Sequence, residues 1–582
     1  MFRSLPFKFN LLKRKFPLSE TSPKHFLLPQ VLILFLVVNC QLSISQVAPT
    51  KFFIQFTDKA NTPFFISNPN EFLSQRALNR RIIQNITIDE FDLPVNPTYV
   101  QQIAATGAIV IARSKWMNGV LIQTADSAVF SAVNSLPFVV SDIPVFKTDI
   151  YNKVSPAKWE EINETEFFKT EKVLSAEDYG AGLNQIDMVG GLGLHNAGYK
   201  GQGKLIAVLD AGFPGVFTNP AFDSLNNRNG IIAVKDFVSP GNNATQGNIS
   251  AHGAYVLSIM AANMPGQMIG TAPAANYVLL RTEDAPTENL IEEYNWVIGA
   301  EYADSIGADI INSSLGYNTF DQPYMNHTFA DMDGHSNIST IGANKAASKG
   351  ILVSISAGNE GNSAWGRISS PSDADSALAI GAVDSSGNYA SLSGRGPSAN
   401  GSIKPNVASQ GFATAYVNTT GIVLHGNGTS FSSPIISGMA ACLWQAIPDR
   451  KSNDLKKIIE TSASQHANPD SLKGYGVPNF SFAQTIAGTN QPQNVHNDEL
   501  LLTYPNPFKE EAHILFYSTH NQQIEIRITD LWGKIISNEI YSAYKMSINN
   551  YTYLDAKDWK QGMYIVGIKT EKGQYFQKIL KN

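Results

Sequence analysis

Apolar and polar residues change their spacing several times along this chain, and each change predicts a different kind of structure. At the start, the apolar run Phe26 to Val38 follows a stretch carrying Arg3, Lys8, Lys13, Arg14 and Lys15, and the small residues Ser43 and Ser45 stand just before Gln46. Basic, then apolar, then small is the order of a secretory signal, and the run is shorter than the roughly 20 residues that a spanning helix needs. Residues 1–45 are therefore expected to be a signal peptide. No other segment approaches a span, so the mature chain is expected to have no transmembrane segment. Residues 46–150 then mix patterns. Short apolar runs at Lys51 to Phe56, Ala108 to Ala112, Asn118 to Ile122 and Phe138 to Val140 read as strands, and Pro97 to Ala105 and Asp126 to Ser135 read as helices. That is a small α+β unit.

A polar stretch, 151–180, shows no sustained period and carries Glu160, Glu161, Glu164, Glu166 and Glu171; it reads as an accessible linker. Over 181–487 the pattern changes again. Leu205 to Leu209, Tyr277 to Leu280, Ile310-Ile311 and Ile351 to Ile355 are near-continuous apolar runs, which suit strands covered on both faces. Helical stretches at His252 to Ala262, Thr287 to Ser305 and Ile341 to Ser348 lie between them. Alternation of this kind predicts an α/β domain with a mainly parallel sheet and helices on both faces. Residues 488–498 have a linker composition with Pro492. In 499–582 short strands return, and Ile524 to Ile528 alternates with period two, so an all-β sandwich is expected there.

Composition narrows the function classes. The 582 residues are 43% hydrophobic, which supplies large cores and excludes a mainly disordered chain. The formal net charge is −6, and without residues 1–45 the balance of 37 basic against 48 acidic groups is −11. No basic block offers a phosphate track, so no nucleic-acid partner is expected. Only Cys40 and Cys442 are present, and Cys40 leaves with the signal. The mature chain then has no internal disulfide, and Cys442, in Met439 to Trp444, reads as a packed thiol.

Three short segments carry candidate chemistry. Asp210 ends a buried strand in Val208-Leu209-Asp210-Ala211-Gly212. His252 opens a helix in Ala251-His252-Gly253, and Ser430 precedes an apolar helix in Gly428-Thr429-Ser430-Phe431-Ser432-Ser433-Pro434. Taken singly, each has a structural reading as a turn residue, a buried His or a helix cap. Together they supply a nucleophile, a base and a carboxylate that orients the base. Their chain order of Asp, His, Ser differs from that of the α/β-hydrolases, and no G-x-S-x-G surrounds Ser430.

On these residues the segment 181–487 resembles the subtilisin-like serine proteases, the subtilase family. Gly428-Thr429-Ser430 with Pro434 matches the family's G-T-S-x-x-x-P, His252-Gly253 its H-G, and Asp210-Ala211-Gly212 its D-[ST]-G with Ala211 in the middle place. Gly270-Thr271-Ala272-Pro273, Asn312-Ser313-Ser314-Leu315-Gly316 and Ser356-Ala357-Gly358-Asn359 match further family segments in order. The resemblance implies Asp210, His252 and Ser430 as the triad and Asn359 as an oxyanion donor. It implies that Ser314, Leu315 and Gly316 and Ser356, Ala357 and Gly358 line the substrate groove. The implied function is an exported serine endopeptidase working through an acyl-enzyme on peptide or protein substrates, with no cofactor required. The alternative is a non-catalytic subtilase-like surface binding protein. Ala211 and Ala254 depart from the family's hydroxyl residues without removing the triad. Structural calcium is a family trait, and Asp331-Met332-Asp333-Gly334 with His335 resembles only the start of a calcium loop, so no metal ligands are assigned and a solvated loop is expected. Residues 46–150 stand where the family carries its inhibitory propeptide, with maturation cleavage expected in 151–180. Residues 499–582, with Tyr504-Pro505-Asn506-Pro507-Phe508 and Gly562-Met563-Tyr564-Ile565, resemble a type IX secretion sorting domain of Bacteroidota. That implies secretion machinery as a partner and a secreted or cell-surface location reached through the periplasm. An accessory binding sandwich is the alternative for this unit.

Overall fold

The computed structural model describes residues 50–146, 179–247, 249–488 and most of 501–582. The expected signal peptide at 1–45, nearly all of the linker at 151–180 and the linker through residue 498 lie outside the described residues.

The N-terminal unit comprises β1 (Lys51–Phe56), α1 (Gln75–Gln84), α2 (Pro97–Ala105), β2 (Ile109–Ser114), β3 (Gly119–Gln123), α3 (Ser127–Asn134) and β4 (Val139–Phe146). Its antiparallel sheet runs β2-β3-β1-β4. Period two along β1 sends Phe52, Ile54 and Phe56 to one face, where Val100 and Ile103 of α2 and Val133 of α3 cover them. Phe53 points the other way and packs with Leu121 and Val145 on Ile291, Tyr294 and Ile298 of the next domain. Helix α1 was not expected from the hydrophobic pattern. Its buried positions are Ala77, Arg80, Arg81 and Gln84, a helical face that is polar.

The second unit is built on β5 (Leu205–Asp210), β6 (Ile231–Asp236), α4 (His252–Ala261), β7 (Asn276–Arg281), α5 (Ile291–Ile306), β8 (Ile310–Ser313), α6 (Ile338–Ser348), β9 (Leu352–Ser356), β10 (Leu378–Val383), β11 (Val407–Gln410) and α7 (Thr429–Ala446). Seven parallel strands lie in the order β11-β10-β9-β8-β5-β7-β6. All six residues of β5 are buried, because both faces are covered. Ile206 and Val208 meet α4 and α7. Leu205, Ala207 and Leu209 meet α5 and α6. The parallel arrangement brings the carboxyl ends of β5, β8 and β9 to one edge, where such sheets place their sites. Helix α5 starts at Ile291 rather than Thr287. Before it, the Glu292 carboxylate accepts the N–H groups of Asp284 (2.9 Å) and Asn289 (3.3 Å) and holds the segment as a turn.

The C-terminal unit has antiparallel sheets β12-β13-β16 and β15-β14-β17-β18, formed by β12 (Leu501–Tyr504), β13 (His513–Ser518), β14 (Gln522–Asp530), β15 (Ile535–Ala543), β16 (Ser547–Thr552), β17 (Gly562–Lys569) and β18 (Gln574–Lys581). Ile514 and Phe516 from one sheet share a core with Ile524, Ile526, Ile528, Val566 and Ile568 from the other, a sandwich. Among the described residues, no helix is long and apolar enough to cross a membrane.

Candidate active site

The nucleophile candidate sits in the first turn of α7, and the local sequence explains how it is held. Pro434 lies inside the helix, has no N–H, and so cannot donate to the carbonyl four residues back, that of Ser430. Ser314 Oγ, just beyond the end of β8, donates to that carbonyl instead at 2.9 Å. Gly428 opens the helix at φ +153, and a side chain there would stand 2.9 Å from Ser430 Oγ and 3.5 Å from Asn359 Nδ2. Ser430 Oγ and the Asn359 amide therefore face the same small space. Asn359 Oδ1 accepts from Thr429 N (2.8 Å) and Thr429 Oγ1 (2.9 Å), which fixes the amide and leaves its NH₂ turned away from Thr429.

His252 is the first residue of α4, and its Nδ1 lies 2.8 Å from Asp210 Oδ1 at the end of β5. Asp210 is fully buried, His252 is 6% exposed and Ser430 4% exposed. Asp210 Oδ1 also accepts the Ala211 N–H at 2.7 Å. Asp210 Oδ2 is buried without a hydrogen-bond partner among the described residues. The residue that departs from the family pattern thus supplies a backbone bond but no hydroxyl. The His252 ring packs over the Phe431 ring, centroids 6.1 Å apart, which sets α4 beside the Ser430 turn.

The expected groove residues follow from β8 and β9, which are parallel neighbours. Ser314 and Leu315 are buried and Gly316 is exposed; Ser356 and Ala357 are buried and Gly358 is half-buried. Ser356 Oγ donates to Leu315 O at 3.4 Å, tying the two segments together. Sequence reasoning missed several supports. Ser433 Oγ (3.0 Å) and Ser437 Oγ (2.8 Å) both donate to Asn312 Oδ1, pinning α7 to β8. Glu360 lies against Gly358 and accepts from Ser369 Oγ at 3.3 Å; burial pushes its carboxyl above the usual range. Only the position of Asn312 within the N-x-S-L-G segment hinted at the first, and nothing hinted at the second.

The polar loop at Asp331 to His335 does not fit a calcium site. Asp331 closes a capping box with Thr328, and Asp333 accepts from His335 N, Ser336 N and Ser336 Oγ, so both carboxylates are spent locally. Elsewhere among the described residues, carboxylate oxygens of Glu283, Glu288 and Glu292 lie within 4.8 Å of one another. The Tyr317 hydroxyl donates to Glu283 at 2.9 Å. Cys442 is fully buried, with Sγ 3.2 Å from Thr271 O, and burial drives its thiol pKa far up, so it is a packed thiol.

Family profiles match each of the three units. The subtilase family profile matches residues 201–476, that of the peptidase S8 propeptide domain of Bacteroidota matches 51–162, and that of the secretion system C-terminal sorting domain matches 502–582. The last implies export to the medium or the cell surface. Subtilisin E of Bacillus subtilis (strain 168) is 31% identical over 296 residues, which cover 50% of this chain and 68% of that protein. Subtilisin of Bacillus pumilus is 30% identical over 292 residues, covering 50% of this chain and 93% of that one. The crystal structure of MycP1 from Mycobacterium smegmatis aligns with a TM-score of 0.42 at 19% identity, covering 56% of this chain and 89% of that chain. Since identity at this level spans more than two thirds of the subtilisins, with a buried Asp–His pair and a serine turn in the places the family pattern requires, this chain belongs to the subtilase family and is a subtilisin-like serine endopeptidase.

Proposed function

We propose that Ser430 Oγ attacks the scissile carbonyl carbon while His252 Nε2 takes its proton. The proton then passes to the leaving amine as the C–N bond breaks, and water hydrolyses the acyl-enzyme by the same route in reverse. Asp210 orients His252 through the 2.8 Å bond and stabilises the imidazolium. The Asn359 NH₂ and the Ser430 N–H, at the positive end of α7, stabilise the oxyanion. Backbone of the segments Ser314 to Gly316 and Ser356 to Gly358 binds the substrate as an extended strand. Protein groups supply nucleophile, base and oxyanion donors, so the reaction calls for no cofactor. The buried pair of Asp210 with His252, beside a serine turn shared with Asn359, is the observation that carries this reading. A non-catalytic binder would have no use for that arrangement.

The N-terminal unit is proposed to keep the enzyme inactive until cleavage in 151–180, and the C-terminal unit to engage the secretion machinery. A serine-directed fluorophosphonate tests the central claim: matured, folded protein should be labelled at Ser430. Labelling elsewhere or not at all overturns the triad assignment.

A further inference from the structure

Strand β8 carries an amide where an apolar side chain would be expected. Asn312 is fully buried. Period two along the strand puts Ile310 and Asn312, with Ser314 just beyond the strand end, on the face that α7 covers, and Ile311 in the core on the other face. An amide buried in this way is costly unless it is hydrogen-bonded, and this one is bonded at both ends. Asn312 Oδ1 accepts from Ser433 Oγ (3.0 Å) and Ser437 Oγ (2.8 Å), which stand one turn apart on α7, and Asn312 Nδ2 donates to Ser314 Oγ (3.2 Å). Ser314 Oγ in turn donates to Ser430 O at 2.9 Å. A hydroxyl has one proton to give. With Asn312 donating to it, the Ser314 hydroxyl is turned so that its own proton goes to the Ser430 carbonyl. Asn312, Ser433 and Ser437 are fully buried and Ser314 is 1% exposed, so water does not compete for these bonds.

The carbonyl needs this donor because of Pro434. In an uninterrupted helix the N–H of residue 434 would hold the carbonyl of residue 430, and the turn would be referred to its own helix alone. Pro434 removes that N–H and hands the carbonyl to the sheet. On the other flank, Thr429 N and Oγ1 are held by Asn359 Oδ1. The Ser430 backbone is thus fixed from both sides by groups outside α7, and the place of Oγ relative to His252 and Asn359 follows from those two anchors. Leu315 and Gly316, the next residues after Ser314, belong to the proposed groove wall. One strand end therefore places both the nucleophile and the peptide it attacks. A misplacement of about 1 Å between reacting groups can cost on the order of 10²-fold in rate.

We propose that Ser314 is a positioning residue for the nucleophile, acting through the Ser430 carbonyl that Pro434 leaves unheld, and that Asn312 sets the direction of its hydroxyl. Ser314 then has a task separate from the backbone contacts it offers to substrate. This rests on the reading of Ser430 as the nucleophile and adds what holds it in place.

The test uses protein matured by an exogenous protease, so that no variant depends on processing itself. Two readouts are taken: the rate of Ser430 labelling by a fluorophosphonate, which needs no peptide in the groove, and kcat and KM on an internally quenched peptide. Ser314→Ala should lower the labelling rate and kcat together, by about 10–100-fold, with KM within about twofold of normal. Pro434→Ala returns an N–H that can hold the Ser430 carbonyl from within α7. In that background the same Ser314→Ala change should cost less than about threefold, a coupling that a double-mutant cycle reads directly. Asn312→Ala also leaves Ser433 and Ser437 without their acceptor, so it should lower the melting temperature as well as the labelling rate. In the Pro434→Ala background its rate loss should shrink while its stability loss remains, which a merely structural role would not give. Should Ser314→Ala not fold, Ser314→Cys, similar in size but a weak donor, should slow labelling several-fold and be recovered in the same way. An unchanged labelling rate in a folded Ser314 variant, a loss confined to KM, or a loss that Pro434→Ala does not recover overturns the proposal. Ser430→Ala keeps the two readings apart: labelling that survives it sinks the triad, and labelling at Ser430 that is indifferent to Ser314 sinks only the positioning role.

Discussion

Replacing Asp210 by Asn separates the two tasks given to this carboxylate. Oδ1 accepts from both His252 Nδ1 and Ala211 N, whereas Oδ2 is buried with no partner among the described residues. An amide could sit with its oxygen at either place. With NH₂ at the Oδ1 place it would face the Ala211 N–H donor and lose both bonds, so the oxygen should keep that place and the His252 tautomer should survive. What is lost is charge. A unit charge about 4 Å from the imidazolium, at an effective dielectric of about 20, is worth about 4 kcal/mol. That is about 10³ in rate. Asp210→Ala, which also removes the orienting bond, should cost more, on the order of 10⁴. The assay is kcat/KM on an internally quenched peptide, with active sites counted by fluorophosphonate titration and folding checked by near-UV circular dichroism. Asp210→Asn retaining a tenth or more of normal activity would refute the reasoning. So would equal losses in the Asn and Ala variants, which would mean that orientation and not charge is what Asp210 supplies.

Asn359→Ala should lower kcat by about 10²–10³, the range for one oxyanion donor, a magnitude carried over from subtilisin as a family relative. A neutral Asn359→Ala beside an inactive Ser430→Ala would show that the oxyanion is held elsewhere. Burial alone would raise Asp304, but Lys115, Arg80 and Arg81 outweigh it and hold the carboxyl well below its usual range; Asp92 is likewise lowered, against its burial, chiefly by Arg81. Their contribution is therefore present above the unfolded carboxylate pKa of about 3.9 and is lost as pH falls through the depressed folded values. After cleavage within 151–178, the N-terminal unit should stay with the peptidase domain at pH 5 on a sizing column and leave only below about pH 4, with dissociation at pH 5–6 counting against the ion pairs of Asp304 and Asp92 with Arg80, Arg81, Lys115 and Lys349. If maturation is autocatalytic, Ser430→Ala produced in a host without other proteases should keep its propeptide covalently attached, as mass spectrometry of the intact chain would show. Deleting 499–582 should leave an active peptidase in the periplasm, and its appearance in the medium of a type IX-competent host would reassign the C-terminal unit as an accessory domain.

The proposed triad could be picked out in the sequence because its chemistry is tied to local patterns that a fold must preserve. Asp210 closes a strand whose every residue is buried, and an unbroken apolar run announces such a strand. Ser430 stands in Gly428-Thr429-Ser430 with Pro434 four residues on, just where an apolar helix begins. Asn359 was different: its chemistry alone is that of a turn residue, and only its place in the family segment marked it. Strands with small residues were harder. Leu378-Ala379-Ile380-Gly381-Ala382-Val383 is a fully buried strand beneath α7, but its alanines and glycine do not read as a hydrophobic run. Helix α1 was missed for the opposite reason. Its period is helical, yet Arg80, Arg81 and Gln84 occupy the buried face, and a search for apolar stripes counts them as solvent-facing.

Asp210, proposed as catalytic, and Asp304 differ in what surrounds them, and burial alone does not tell them apart. Both are fully buried in the same domain. Asp304 is surrounded by Arg80, Arg81 and Lys115, and its charge is consumed in holding two domains together. Asp210 has one backbone N–H and one imidazole, and its second oxygen is left without a partner among the described residues. A carboxylate with so few donors is not neutralised by them, so its field remains directed at the one group that gains a charge during the reaction. Adding a donor should therefore weaken it. Ala211→Ser, which supplies the hydroxyl of the family's D-[ST]-G segment next to Asp210, should stabilise the fold by about 0.5–1.5 kcal/mol where that hydroxyl donates to the carboxylate. It should leave Ser430 labelling intact and lower kcat modestly, and a gain in both stability and kcat would show that the bare oxygen has no part in tuning His252.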